Sequence, residues 1–264
     1  MTISSPPEEL WMRGCEELLA RERFVAIVGS RAPTPYGEAQ ARRFGAALAA
    51  AGIVVVSGLA RGIDSAAHRG ALEVGGATIA VLGCGVDRPW PAGPLAEDLV
   101  QRGLLLSEFP PGMGPRRHHF PLRNRIISGL SQAVLVVEAA WASGSLITAR
   151  WGVEQGRSIY ALPGRVDHPM ARGAHRLIRE GATLIDSPEE LARDLYGEVT
   201  PDAPVRGTPV ARDPLLEALV GETLSVDELS ARLVEPVGEV LASLATLELS
   251  GRVARCPGGL YRLS

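Results

Sequence analysis

Short apolar segments alternate with longer segments of helical periodicity between residues 24 and 186, and this alternation restricts the fold more than any other feature. The apolar segments begin at residues 24, 53, 77, 104, 133, 158 and 182. Their nearly uninterrupted Val, Ile and Leu content is typical of strands that are buried on both faces of a sheet. Helical spacing of apolar residues follows, for example from residues 36 and 63. The pattern predicts a doubly wound α/β domain with a mostly parallel sheet.

Sheets of this kind bind ligands outside the carboxyl ends of their strands, so the loops after the apolar segments are the candidate binding site. These loops are rich in Gly, Ser and Arg, whose backbone amides, hydroxyls and guanidinium groups can hold a phosphate. At each loop the alternative is a tight turn, a solvated arginine or a helix cap. The candidates at strand ends are Gly29, Ser30, Arg31, Ser57, Gly58, Arg61, Gly62, Ser143, Gly144, Ser145 and Arg165.

The formal net charge of -3 argues against a general affinity for nucleic acid, but the charges are unevenly distributed. All 27 basic residues are arginine, which excludes chemistry that needs a lysine ammonium. No acidic residue lies between Glu108 and Glu138. Arginines interleaved with a ring are typical of sites for single-stranded nucleic acid, and the alternative is a solvated basic face with a core aromatic residue. The candidates in this acid-free stretch are Arg116, Arg117, Phe120, Arg123 and Arg125.

No residue pattern in the chain predicts catalysis. Asp64 and Ser65 are predicted to be N-caps of the helix that carries His68. No nucleophile or paired carboxylate accompanies His68, which favours a structural histidine over a general base. Ser145 lies outside any GxSxG motif, which favours a capping role over a nucleophile. The three cysteines are far apart in the sequence, so we expect neither a disulfide nor a metal site, and no cofactor.

The composition divides the chain into three parts. Residues 1–197 are predicted to form the α/β domain, and residues 198–212 a linker that is rich in Pro and Gly. Residues 213–264 contain three short amphipathic helix candidates and a Gly-turned hairpin, a winged-helix pattern. Residues 197–264 carry 6 Arg and 10 acids, a charge of -4, which argues against a nucleic-acid surface there. We expect a cytoplasmic protein, because there is no apolar run near ~20 residues and no signal-peptide pattern.

An ordered set of motifs resembles the DNA-processing protein A family, also called DprA or Smf. The motifs are VGSR, SGLARGIDSAAHRGAL, TIAVLGCGVD, SEFPPG, FPLRNRIISGLSQAVLVVEA, SGSLITA and GRSIYALPG. The resemblance covers about residues 6 to 190 and implies an extended Rossmann-like fold, a homodimer and non-enzymatic binding of single-stranded DNA. It also implies protection of incoming strands in natural transformation, loading of RecA recombinase and action against single-strand-binding protein. The DNA contacts that it implies are Arg31, residues 57–62, Phe120, Arg123, Asn124, Arg125 and residues 143–145.

Two other functions stay open at the level of sequence. The first is a nucleotide-processing enzyme of the phosphoribohydrolase-like group, for which Glu138 is the only candidate acid and SGSLIT stands in place of PGGxGT. The second is a regulator that reads duplex DNA through the winged helix. Its candidate recognition helix has no arginine before Arg252 and contains two glutamates, which is unfavourable for reading a major groove.

Overall fold

The computed structural model describes residue 3 and residues 5–197, 214–219, 221–249 and 252–263. The chain divides into two compact units, Met1–Pro209 and Val210–Ser264. The predicted linker, residues 198–212, lies outside the described residues, so the predicted domain boundaries stay a prediction. In the described residues, no helix is both long enough and apolar enough to cross a membrane.

The first unit is built on an eight-stranded sheet with the strand order β1-β5-β4-β3-β2-β6-β7-β8. The strands are β1 (Trp11–Gly14), β2 (Phe24–Val28), β3 (Val54–Ser57), β4 (Thr78–Val81), β5 (Leu104–Ser107), β6 (Ala133–Val136), β7 (Ser158–Ala161) and β8 (Thr183–Leu184). All neighbours are parallel except β1, which pairs with β5 in the antiparallel direction. The seven predicted strands and the doubly wound, Rossmann-like class are therefore confirmed.

Helices cover both faces of this sheet. They are α1 (Pro35–Ala50), α2 (Ile63–Glu73), α3 (Pro94–Arg102), α4 (His119–Leu130), α5 (Ser145–Glu154), α6 (Arg172–Arg179) and α7 (Pro188–Tyr196). Successive residues of β3 belong to different cores: Val55 packs in the cluster that includes Phe44 of α1, and Val54 in the cluster that includes Ile126 of α4. This alternation between two buried faces explains why β2 to β6 are apolar along nearly their whole length.

The second unit has its own small core and contains α8 (Pro214–Ala218), β9 (Leu224–Ser225), α9 (Val226–Leu233), α10 (Val237–Leu249), β10 (Val253–Cys256) and β11 (Leu260–Leu263). The strands form an antiparallel sheet in the order β10-β11-β9. Leu229, Val240, Leu244 and Tyr261 are buried together between helices and sheet. Three helices and a hairpin confirm the predicted winged-helix class.

Candidate functional site

The candidate site lies where the direction of the chain changes in the sheet. β2 pairs with β3 on one side and with β6 on the other, and the chain reaches β6 only after it has built β3, β4 and β5. The loops that leave β2 and β6 meet at this point, where the backbone N–H of Ser30 donates to the carbonyl oxygen of Glu138 over 2.7 Å. A crevice at such a switch point is where doubly wound sheets bind ligands.

The loop after β2 contains the predicted residues Gly29, Ser30 and Arg31. Gly29 is half-buried, and the Ser30 hydroxyl points inward, where it accepts from the N–H of Ala32 over 3.1 Å. The Arg31 side chain is exposed, and its guanidinium carbon lies 5.1 Å from the centre of the Phe120 ring. The structure therefore brings together a cation and a ring that are far apart in the sequence.

The loop after β3 packs directly against the loop after β2. Gly62 has a φ of 81° and a Cβ there would meet the carbonyl oxygen of Ser30, so only glycine fits this turn. The Ser57 hydroxyl is buried and donates to the carbonyl oxygen of Ile27 over 2.6 Å, so it does not face the crevice. The Arg61 side chain is exposed. This loop can therefore offer a ligand its backbone and Arg61.

A buried ion pair supports this loop from the inside of the protein. The Asp64 carboxylate accepts from the N–H groups of Gly58 and Ala60 over 3.2 and 3.4 Å, and Arg123 Nη2 lies 4.0 Å from it. Arg123 is 3% exposed, donates to the carbonyl oxygen of Val81 and lies so close to Gly58 that a Cβ there would clash. Burial raises the pKa of Asp64 and lowers that of Arg123 to about 10, which leaves the guanidinium charged at neutral pH.

The N-cap predicted for α2 is wrong. The helix begins at Ile63 with Gly62 as its N-cap, and Asp64 lies inside the first turn. Its carboxylate turns back to the amides of the preceding loop, and the Ser65 hydroxyl donates to the carbonyl oxygen of Ala60 over 2.7 Å. His68 is buried, and its Nδ1 lies 2.7 Å from the hydroxyl oxygen of Thr78. These side chains hold the loop in shape.

The start of α4 places Phe120 at the crevice. His119 stacks on Phe109 with 3.9 Å between ring centres, and its Nδ1 donates to the carbonyl oxygen of Gly83 over 3.0 Å. A Cβ at Gly83 would lie 3.0 Å from Phe120 Cδ1, so the ring packs directly against this loop. Phe120 is half-buried as a result, and Arg116 and Arg117 in the preceding loop are exposed.

Two further predicted residues of α4 make protein contacts. The Arg125 guanidinium forms a two-pronged ion pair with Glu108, over 2.8 and 2.6 Å, and also donates to the carbonyl oxygen of Ser5. The Asn124 amide donates to the carbonyl oxygen of Gly144 over 3.4 Å. Neither Arg123 nor Arg125 presents a free guanidinium, so direct phosphate contacts by these two arginines do not fit their placement.

The loop before α5 contains the other predicted residues near the switch point. The hydroxyl oxygens of Ser143 and Ser145 lie 2.8 Å apart, and exposed Gly144 caps the helix without a side-chain hydrogen bond. The N–H groups of Ser145 and Leu146 donate to Ser143, so the first turn of this helix is already capped by its own loop. Arg165, which follows β7, is exposed but forms an ion pair of 2.8 Å with Asp167. It is therefore less available than an unpaired arginine.

The exposed arginines of the loops after β2 and β3 and of the loop before α4 differ from the rest of the predicted set. We call Arg31, Arg61, Arg116 and Arg117 the rim arginines. No carboxylate of the described residues forms an ion pair with any of them. The described residues also contain no cluster of three or more His, Cys, Asp or Glu side chains that could hold a metal ion. The loops at the switch point therefore offer exposed positive charge and a ring that lies against Arg31.

The sequence did not reveal the acidic partners of the two inward-pointing arginines. Asp64 and Glu108 lie outside the acid-free stretch and reach Arg123 and Arg125 only in the folded chain. Glu138, the one acid on which an enzymatic function would depend, is also fixed by its neighbours. Its two carboxylate oxygens accept from the N–H and the hydroxyl of Thr34, over 2.8 and 2.6 Å.

Comparison with known proteins agrees with this architecture. The family model described as DNA recombination-mediator protein A matches residues 1–196, and that of the DprA winged helix domain matches residues 199–259. Protein Smf of Escherichia coli K12 is 47% identical, over 97% of this chain and 72% of that protein.

Two solved structures share the fold of the first unit. DNA processing protein A of Helicobacter pylori, described for its single-stranded DNA binding mode, has a TM-score of 0.69 at 31% identity, over 75% of this chain and 91% of that one. The Streptococcus pneumoniae protein has a TM-score of 0.67 at 42% identity, over 71% of this chain and 66% of that one. The chain therefore belongs to the DNA-processing protein A family.

Proposed function

We propose that the α/β unit binds single-stranded DNA at the crevice between the loops after β2, β3 and β6. The observation that carries this proposal is the set of rim arginines, which are exposed and have no acidic partner among the described residues, together with the Phe120 ring that lies against Arg31. Exposed arginines without an acidic partner are free to neutralise the phosphates of a strand, and the counterions that the strand then releases favour binding.

The geometry favours a single strand over a duplex. Phe120 can stack only on a base that has left its own stack, which a single strand offers freely. Arg31 lies over the same ring, so a phosphate held by Arg31 would bring its base next to Phe120. The other proposed phosphate contacts are Arg61, Arg116, Arg117 and the backbone amides of Arg31, Gly62 and Gly144. Other amides of these loops, among them those of Ser30, Gly58 and Ala60, already donate within the protein.

Arg123 and Arg125 have a different role in this proposal. Arg123 supports the loop after β3 through Val81 and Asp64, and Arg125 fixes α4 to Glu108. Both are positioning residues that hold Gly58 and Phe120 at the crevice. We propose binding without catalysis and without a cofactor, because both oxygens of Glu138 are engaged by Thr34.

We further propose that the chain acts as a homodimer in the protection of incoming strands and in the loading of RecA recombinase, against single-strand-binding protein. Membership of the DNA-processing protein A family supports this part of the proposal. A cytoplasmic location follows from such partners. Arg165 stays a predicted DNA contact, but we expect it to contribute less to binding than the rim arginines, because it already pairs with Asp167.

The test is a fluorescence anisotropy titration with single-stranded and duplex oligonucleotides over a series of salt concentrations. We expect tighter binding of the single strand, and a slope of log K against log salt of about -0.7 for each neutralised phosphate. Arg31→Ala removes one charge at the crevice, so it should weaken binding by at least about tenfold.

Arg42→Ala is the matched control. Arg42 is also exposed, but it pairs with Glu73 on the outer helices over 2.7 Å, so its loss changes the net charge equally without touching the crevice. If Arg31→Ala and Arg42→Ala weaken binding equally, the crevice is not the binding site. If the parent prefers duplex DNA, the proposed function is wrong.

A further inference from the structure

Trp141 is one of the most exposed large side chains of the α/β unit, with 56% of its surface accessible. It lies in the loop between β6 and α5, two residues before Ser143. The guanidinium carbon of Arg176 lies 5.1 Å from the centre of the Trp141 ring. Arg176 is held in turn by Glu180, whose carboxylate accepts from Arg176 Nε over 2.7 Å. An indole in this setting is restrained on one side and open to solvent.

The backbone on either side of this contact is fixed. The N–H of Gly173, in the first turn of α6, donates to the carbonyl oxygen of Ala139 over 2.7 Å. The N–H of Ala139 donates to the carbonyl oxygen of Met170 over 2.8 Å. The loop that carries Trp141 and the helix that carries Arg176 are therefore joined directly, so the ring and the cation are held in register before any ligand arrives.

Trp141 is also close to the proposed DNA site. Glu138, three residues earlier, accepts the N–H of Ser30 next to Arg31. Trp141 is therefore at most about 11 Å from Glu138, because three residues of chain span no more than that. About three nucleotides of a stacked strand, with a rise of ~3.4 Å each, cover this distance. Ser143 and Ser145 follow Trp141 in the same loop and at the start of α5. A strand that passes from Phe120 across the switch point can thus reach Trp141.

We propose that Trp141 is a second platform for base stacking, on the opposite side of the switch point from Phe120. This inference rests on the proposed function and deepens it. The strand lies across the carboxyl ends of the sheet, with one base on Phe120 and a later base on the open face of Trp141. Arg176 holds the indole from its other face, and its positive charge adds to the attraction for the strand.

Trp90 is a natural control for this proposal. It is 53% exposed and lies between β4 and α3, so it resembles Trp141 in type and in exposure. Among the described residues, no arginine lies over the Trp90 ring. A general effect of removing an exposed indole would appear in both variants, and an effect on a stacking platform would appear only at Trp141.

The experiment compares Trp141→Ala, Trp141→Phe and Trp90→Ala in binding an oligonucleotide of about ten nucleotides, within the span of one such site. We expect Trp141→Ala to lose at least about fivefold in affinity, and Trp141→Phe to keep most of it, since a smaller ring still stacks. Trp90→Ala should bind like the parent. The quenching of tryptophan fluorescence by DNA should be much smaller in Trp141→Phe than in Trp90→Ala.

The outcomes separate this inference from the proposed function. If Arg31→Ala weakens binding and Trp141→Ala does not, Trp141 is not a stacking platform, while the proposed DNA site at the crevice is supported. If the parent does not bind single strands at all, the proposed function itself fails. Light scattering on each variant supplies the last check: a change of mass in Trp141→Ala would make this ring a contact between copies of the chain and would overturn the inference.

Discussion

The acid-free stretch splits into two halves with opposite surroundings. In the loop that precedes α4, Arg116 and Arg117 are exposed, and no carboxylate of the described residues pairs with them. Inside α4, Arg123 is 3% exposed and lies by Asp64, and Arg125 pairs with Glu108. The same residue type therefore serves two purposes within ten positions. A stretch without acids is not necessarily a basic surface, since acids from other elements can enter it.

Helix geometry explains why Arg123 turns inward. Residues that are three or four positions apart share a helix face, so Phe120, Arg123 and Ile127 point the same way. Ile127 is buried, and Ile126 beside it belongs to the core under the sheet. Arg123 consequently points toward the strand ends, where its guanidinium donates to the carbonyl oxygen of Val81 and lies by the Asp64 carboxylate.

The largest effect that we expect from this contrast is on stability. Arg123→Met leaves the Asp64 carboxylate buried without its cation, which should lower the free energy of unfolding by about 3 to 5 kcal/mol. Arg117→Met, in the exposed half, should change it by less than about 0.5 kcal/mol. Urea denaturation of both variants at neutral pH measures the difference. Equal stabilities would show that Arg123 is not the buried partner of Asp64.

The groups of α2 that lie near the buried Arg123 should also respond to pH. Burial, with a smaller contribution from the Arg123 charge, lowers the pKa of His68 from 6.5 to about 3. The unfolded chain therefore takes up a proton first as the pH falls below 6.5, and stability is lost between 6.5 and about 3. Protonation of Asp64 has the opposite effect on the free energy of unfolding, because the pKa of Asp64 is raised in the folded state.

The comparison of the parent with His68→Gln isolates this histidine, since both retain Asp64. Between about pH 7 and pH 5 the parent should lose about 2 kcal/mol more of its unfolding free energy than the variant, at about 1.4 kcal/mol per pH unit. Urea denaturation at the two pH values is the measurement. Parallel losses in the two proteins would mean that His68 is protonated normally in the folded state.

Much of the fold could be predicted because its strands are buried on both faces. The five strands β2 to β6 are short, mostly apolar runs that are buried throughout, and burial leaves few other residues possible there. β1 was missed because WMRG has no such run: three of its four residues are exposed, and only its antiparallel pairing with β5 defines it. Edge strands with this composition carry little signal in the sequence.

The candidate site could be predicted only in part, for a different physical reason. Glycines and arginines at strand ends indicate where the crevice lies, and the fold brings Arg31 to Phe120 as expected of such loops. Which arginines are free depends on Asp64 and Glu108, which come from α2 and from the loop after β5. The pairing of an arginine with an acid from another element is set by tertiary structure, so it cannot be predicted from the local composition.

The smallest effect that we expect is on the salt dependence of DNA binding, which should differ between variants of the two halves. Arg116→Ala should leave the free energy of unfolding within about 0.5 kcal/mol of the parent and reduce the salt slope of single-strand binding by about 0.7, the value for one phosphate. Arg125→Ala should do the reverse: it loses about 2 kcal/mol of stability with its Glu108 contact, while the folded protein keeps the parent slope. A lower slope for Arg125→Ala would place that arginine on the DNA.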